Sequence, residues 1–382
     1  METINQKQKG DLGRIFQRYS QNNDIESLIR HPEQRKAFDA IAHCRTKALG
    51  GHIKACTNCG KTQQAYNSCR NRHCPKCQFI KQAKWVDRLA GNLPPVKMFH
   101  IVFTIPPCLH KLFYINQRTC YDLLLKAAGQ TLCNTAANPK HFGVQAGALA
   151  VLHTWGQTLS YHPHVHMIVP AGGFSEDKME WHHAPKKFFV SVKVLSKKFR
   201  YKLCMMIKQA LKDKVIRLPN DLQDYEHLHQ LTHQKDWVVY CEKPFSTSNS
   251  LIAYLGNYTQ RVAISNHRIL SSQNDKICFT YKDYRCKGVQ KEMYLPNKEF
   301  IRRFLQHILP RGFCKIRYIG FLSTRKIREY TNKAISLLNR SVYIPHFEGL
   351  PGMEILYHLT GIDVCICPAC KRGHLVQKPP NE

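Results

Sequence analysis

The sequence predicts an α+β fold: a central antiparallel sheet with flanking helices, preceded by a small zinc-binding domain. Three observations predict it. Apolar runs of strand length at 96–105, 146–153 and 163–169 are interspersed with longer stretches of helical periodicity. The runs at 146–153 and 163–169 flank a bend at Trp155-Gly156-Gln157, which suits antiparallel neighbours. Ahead of the first strand, Cys56, Cys59, Cys69, Cys74 and Cys77 crowd into one short region.

Composition narrows the function classes. The chain has 382 residues, 43% of them hydrophobic, which is enough for a full core and for more than one domain. No run approaches the roughly 18 uninterrupted apolar residues that a membrane span needs. Met1 to Lys9 lack an apolar segment behind a basic start, so a cytoplasmic protein is expected rather than a secreted one. Lys and Arg total 57 against 26 acidic residues, a formal charge of +31. Such an excess points to a polyanion, because neutralising phosphates releases counterions. No polybasic block adjoins an amphipathic anchor, which favours nucleic acid over a membrane surface. Seventeen cysteines in such a setting argue for metal rather than disulfides.

Taken in order, residues 10–45 read as helical, with Leu12, Ile15 and Phe16 and then Ile25, Leu28 and Ile29 at helical spacing. Gly50-Gly51 ends that stretch and leads into an extended one. Asn92-Leu93-Pro94-Pro95 breaks the chain. The expected division is therefore 1–92, helical and zinc-binding, then 95–345, the catalytic domain, then a tail at 346–382. Within the second part, 96–105 is a buried strand, 109–134 a helix, 146–153 and 163–169 strands, and 195–213 a basic helix. Residues 237–241 form a further strand, and 262–265 pairs with 276–284. Helices at 297–308 and 323–338 enclose a strand at 314–319.

Two cysteine knuckles dominate the first part. Cys56-Thr57-Asn58-Cys59 and Cys74-Pro75-Lys76-Cys77 offer four thiolates, the set that structural Zn²⁺ prefers. A second set at chelating spacing is Cys44, His52, Cys69 and His73, with buried thiols and phosphate-contacting histidines as the other reading. In the tail, Cys367 and Cys370 make half a zinc site. Arg70, Arg72 and Lys76 are candidates for DNA contact, against the alternative of a solvated face.

In Tyr161-His162-Pro163-His164-Val165-His166, a strand would point His164 and His166 the same way, roughly 7 Å apart at the backbone. Two such imidazoles can close on one divalent metal; a strand that merely carries histidines is the bland alternative. Further on, a Ser/Thr-rich cap at 246–250 precedes a short helical pattern. There Tyr254 and Tyr258 lie four apart on one face, and Arg261 follows.

These residues resemble the two-tyrosine HUH transposases of bacterial insertion sequences, the insertion sequence 91 family. The resemblance covers nearly the whole chain. It rests on Asn67 to Cys77, on His162 to His166, on 253–267 and on Leu309-Pro310-Arg311-Gly312-Phe313. It implies an HUH nuclease fold and nicking and rejoining of single-stranded DNA at element ends and target through a 5′-phosphotyrosine. Tyr254 and Tyr258 would be the nucleophiles. His164 and His166 would hold Mg²⁺ or Mn²⁺, with Gln157 as first choice for a third ligand and His153 or His162 as alternatives. Arg261 would neutralise phosphate, and the protein would work in the bacterial cytoplasm at the nucleoid. A replication initiator or relaxase with the same chemistry is one alternative, and an inactive zinc-dependent DNA-binding regulator another.

Overall fold

The computed structural model describes residues 10–22, 24–184, 189–245, 263–286, 288–341 and 343–378. Helices Leu12–Asn22 (α1) and Pro32–Ala42 (α2) open the chain, followed by strands Gly51–Cys56 (β1) and Thr62–Tyr66 (β2) and helix Phe79–Gly91 (α3). Strand Met98–Thr104 (β3), helices His110–Ile115 (α4) and Gln117–Ala137 (α5), and strands Gly147–Trp155 (β4) and Tyr161–Pro170 (β5) come next. After the short strands Gly172–Phe174 (β6) and Trp181–His183 (β7) come helices Val192–Lys212 (α6) and Tyr225–His233 (α7) and strand Val239–Phe245 (β8). Strands Ile269–Gln273 (β9), Lys276–Asp283 (β10) and Val289–Pro296 (β11) make a meander that runs into helix Asn297–Leu305 (α8). Strand Ile316–Gly320 (β12), helices Ile327–Leu338 (α9) and Gly352–Thr360 (α10), and strand Leu375–Gln377 (β13) end it.

The central sheet is antiparallel throughout, in the order β12-β4-β5-β3-β8. Its middle strands are apolar on both faces because both faces are covered. One face, with Ile101, Phe103, Leu152, Val165 and Met167, packs on α5 and α6 in the largest core. The opposite face is divided. Leu149, Val151 and Ile168 lie under α3 and α9, against Val86, Leu89 and Ala334. The remainder of that face carries histidines.

A third core joins the chain's beginning to its second half. The spacing of Leu12, Ile15, Phe16 and Tyr19 buries one stripe of α1. That stripe packs with α2 on Phe279, Phe300 and Phe304 of β10 and α8. Phe16 stacks on Phe38 at 4.5 Å and meets Phe304 edge-on at 5.4 Å. The tail returns to the N-terminal part: the buried Asp87 of α3 accepts bonds from the Tyr343 hydroxyl and from the amides of His346 and Phe347 at 2.8–3.0 Å. Packing thus crosses the sequence break at 92–95 in both directions.

Several elements differ from expectation. The helix expected over 109–134 is two, α4 and α5, divided at Asn116. Strand β10 pairs with β9 and β11 rather than with 262–265; Ala263 to Ser265 are not in a strand, and Val262 lies outside the described residues. A Pro32 start after the extended His31 fits the preference for proline in a first helical turn, and it separates α2 from α1 where the sequence reads as one helical stretch. No helix among the described residues is long and apolar enough to cross a membrane.

Because Phe16 bridges the two parts of the chain, Phe16→Ala is expected to cost about 3–5 kcal/mol. Urea unfolding followed by fluorescence should show the loss as one cooperative shift of the whole chain. If residues 10–42 were an independent unit, the main transition would keep its midpoint.

Candidate active site and cysteine clusters

The histidine site is built on the hairpin of β4 and β5. Its register sets His153 directly across from His164, and Val151 across from His166. Period-two alternation therefore brings His153, His164 and His166 to one face, with ligand nitrogens within 4.8 Å of one another. The rings of His153 and His166 are 4.3 Å apart, and His153 stacks on Trp155 at 4.6 Å. His153 and His164 are buried, and His166 is half-buried. Burial pushes the His164 imidazole down to about 3. It pushes His166 well below its ordinary value too, and the neighbouring His153 and His164 add to the effect. Both rings are thus neutral at physiological pH, the state in which imidazole donates a lone pair to a metal.

Hydrogen bonds fix how those rings point. His164 Nδ1 donates to the carbonyl of His162 at 2.6 Å, which leaves its Nε2 as the lone-pair nitrogen. Behind His166 runs a relay. The register places His100 of β3 beside Glu242 of β8. His100 Nδ1 donates to Glu242 Oε2 at 3.1 Å, and its Nε2 is 2.8 Å from His166 Nδ1. A carboxylate acceptor at one end orders the protons along the chain, so that Nδ1 of His166 donates and Nε2 faces its two partners. The bond from His100 holds the Glu242 carboxyl below the usual range. No sequence signal marks His100 or Glu242, since strand order brings them together across 142 positions.

The turn between the strands is strapped from the second half of the chain. Leu159 is buried with a φ of +60°, an unusual conformation for a branched residue. Its carbonyl accepts from Gln306 Nε2 at 2.9 Å and from His307 Nε2 at 3.1 Å. Arg268 Nη2 donates to the Gln157 carbonyl at 2.6 Å, and Arg303 Nη1 to that of Thr158 at 3.0 Å. Gln157, the first choice for a third ligand, turns its side-chain oxygen to the amide of Lys282 at 3.4 Å. His153 stands with His164 and His166 instead, because the tight turn lies beyond the paired segment that carries the site. His162 contributes its carbonyl.

Tyr254, Tyr258 and Arg261 lie outside the described residues. The described chain stops at Phe245, at the end of the strand that carries Glu242. It resumes at Ala263, buried in the same core as Leu159.

The cysteines form two clusters, each with its four Sγ atoms within 4.8 Å: Cys44, Cys69, Cys74 and Cys77, and Cys56, Cys59, Cys367 and Cys370. The expected set of Cys56, Cys59, Cys74 and Cys77 is thereby corrected: its two knuckles belong to different clusters. The second expected set is corrected too. Cys44 and Cys69 join Cys74 and Cys77, whereas His73 Nε2 accepts from the Leu309 amide at 3.3 Å and His52 pairs across from Ala65 on β1. Sγ separations of 3.4 Å for Cys44–Cys77 and 3.6 Å for Cys69–Cys77 approach the edge, about 3.8 Å, of a tetrahedron with zinc–sulfur bonds of about 2.3 Å. Of the expected DNA contacts near this cluster, Lys76 pairs with Asp11 at 2.6 Å and Arg72 donates to the Phe313 carbonyl at 2.9 Å, while Arg70 is exposed.

Residues 147–329 match a family described as "Putative transposase", and residues 14–105 match a "Transposase zinc-binding domain". The chain is 38% identical over 374 residues to "Putative transposase y4qJ" of Sinorhizobium fredii, covering 96% of this chain and 94% of that one. It is 30% identical over 305 residues to the "Transposase for insertion sequence element IS801" of Pseudomonas savastanoi pv. phaseolicola, covering 77% and 72%. No solved structure matches the chain.

His307, which holds the turn, gives the site a measurable pH dependence. Burial pushes its imidazole down to about 3. The folded state therefore binds fewer protons than the unfolded one between about pH 6.5 and 3, so stability is fully present above pH 6.5 and falls on acidification. From pH 7 to pH 5 this one group should remove about 2 kcal/mol. Urea titrations of the parent and of His307→Gln at both pH values should show a smaller loss in the variant, by about that amount. Equal losses would refute the assignment.

Proposed function

Since the chain belongs to the insertion sequence 91 family of transposases, we propose that it nicks and rejoins single-stranded DNA at insertion-sequence ends through a 5′-phosphotyrosine. The observation that carries this reading is the cluster of His153, His164 and His166 on one sheet face, with ligand nitrogens within 4.8 Å of one another. His153, His164 and His166 would hold a divalent cation. The donor set fits, since burial keeps His164 and His166 unprotonated and the relay from Glu242 through His100 orients His166. Imidazole donors suit a softer ion, so Mn²⁺ should serve better than Mg²⁺. When bound, the cation polarises the phosphoryl oxygens of the scissile phosphodiester.

The chain's own residues do the rest. Tyr254 or Tyr258 supplies the nucleophile: its oxygen bonds to phosphorus as the bond to the 3′ oxygen breaks, and the departing 3′ oxygen takes up a proton. The ester conserves the bond energy, so attack by the 3′ hydroxyl of another end rejoins DNA without ATP. Two tyrosines allow two strands to be held at once. Arg261, with exposed residues such as Arg70, would meet phosphates. Cys44, Cys69, Cys74 and Cys77 would bind the structural zinc of the recognition part. The formal charge of +31 supports a long phosphate track, with binding in the bacterial cytoplasm at nucleoid DNA.

Incubation with Mn²⁺ and single-stranded oligonucleotides from the element ends should give a covalent protein–DNA adduct on a denaturing gel. Tyr254→Phe combined with Tyr258→Phe should abolish it, and an adduct surviving in that double variant would overturn the assignment. His164→Ala with His166→Ala should lower cleavage by at least 100-fold, on the order expected when metal ligands are lost, while oligonucleotide binding at moderate salt changes little.

A further inference from the structure

We propose that Cys56, Cys59, Cys367 and Cys370 form a zinc site separate from that of Cys44, Cys69, Cys74 and Cys77, and that its metal clasps the C-terminal tail onto the N-terminal hairpin. The site combines ligands 308 and more positions apart, and half of it lies beyond the matched zinc-binding segment at 14–105.

The backbone is built for it. Strand β1 pairs with β2 on one edge and with β13 on the other, Cys56 opposite Leu375. Each cysteine pair sits on a tight turn, and the residue after the second cysteine is left-handed in both: Gly60 at φ +68° and Lys371 at +56°. Backbone amides point at sulfur in both turns, Asn58 and Cys59 at Cys56 Sγ (3.4 and 3.5 Å) and Gly373 at Cys370 Sγ (3.4 Å). Amides aimed this way stabilise thiolate, the form that ligates metal. Thr57 and His374 tie the turns together through Thr57 N to His374 O at 3.0 Å and His374 N to Thr57 Oγ1 at 3.1 Å. At Gly373 a Cβ would lie 2.5 Å from Cys56 Sγ, so the second turn presses on the first as only glycine allows. Across the turns the sulfurs are 3.6 Å (Cys56–Cys370) and 3.8 Å (Cys59–Cys367) apart. These are too long for disulfides, whose sulfurs are about 2.05 Å apart, and match the edges of a zinc tetrathiolate, about 3.8 Å.

Apart from these backbone pairings, no apolar core holds this unit. Among residues 51–66 and 361–378 the buried ones are Cys56, Cys367 and Gly373, all at the sulfur cluster. Ile53, Tyr66 and Val376 are exposed. A unit with no apolar core needs a staple, and here only metal coordination is available.

The full-length protein tests this. Metal analysis of Cys367→Ser/Cys370→Ser should find one zinc fewer per chain than in the parent, and limited proteolysis should then release the tail after about residue 360. Combining this variant with Cys44→Ser/Cys69→Ser should remove two. Unchanged zinc content in the first variant would overturn the proposal. Should that variant fail to fold, iodoacetamide mapping of the zinc-loaded parent decides. Protection of all four thiols, lost together on chelation, supports the site; any of the four reactive while zinc is bound refutes it.

Discussion

The in-register pairing of β4 with β5 is the constraint on which the site depends. It places His153 opposite His164 and leaves one alternation step to His166, so three imidazoles converge without any loop having to carry one. Burying His164 and His166 is tolerable because both are neutral and the Nδ1 of each is engaged; isolated buried polar groups would each cost a few kcal/mol. Register in turn depends on the turn, where Leu159 is left-handed. Four side chains from the second half of the chain, Arg268, Arg303, Gln306 and His307, bond to the carbonyls of that turn. The meander and α8 therefore support the site although they contribute no ligand to it.

Stability is divided between apolar packing and sulfur chemistry. Three cores account for the sheet, its helices and the junction of α1 and α2 with α8. Between residues 44 and 77 the chain contributes little to any of them, and there the cysteines gather. Cys44 at the end of α2 and Cys74 lie at the rim of the third core, so that cluster is anchored to apolar packing. The cluster of Cys56 and Cys59 has no such backing. Its partners arrive from the far end of the chain, which Asp87 has already brought back along α3.

Much of this was legible in the sequence, for reasons of locality. Strands near 96–105, 146–153 and 163–169 show as apolar runs of strand length, and the short bend between two of them suits antiparallel pairing. The pairing of His164 with His166 needs only the period of a strand. What stayed hidden is non-local. Spacing identifies a knuckle but not which knuckle shares its metal, so Cys56 and Cys59 could not be matched with Cys367 and Cys370. Strand order is likewise absent from the sequence, and with it the contact of His100, Glu242 and His166. His153 against Gln157 turned on where the paired segment ends and the turn begins, the least defined boundary in a hairpin. Residues 10–42 read as part of the first domain because they are contiguous with it, whereas the stripe of α1 finds its apolar partner on α8.

The histidine site also bears on how so cationic a protein can act on one chosen phosphate. Its formal charge of +31 attracts DNA anywhere along the backbone and carries no preference for a scissile bond. The histidine site has no carboxylate among its three members, and His164 and His166 are neutral. On the proposed reading, positive charge at that spot would come from a divalent cation held there. Lys315 lies close by, its Nζ 5.9 Å from the ring centre of Trp155, which stacks on His153, but burial pushes its pKa down to about 7, so it supplies only part of a charge at neutral pH. Such a site inside a positive surface would, on that reading, separate two tasks: diffuse charge would retain the strand at any position, while a cation held by the histidines would concentrate field at one phosphate. Three carboxylates in place of the triad would hold a hard cation more firmly but would also cancel its charge and repel the phosphate. Imidazole ligands would leave the charge of such an ion for the DNA, with the single carboxylate of Glu242 one residue behind, on His100.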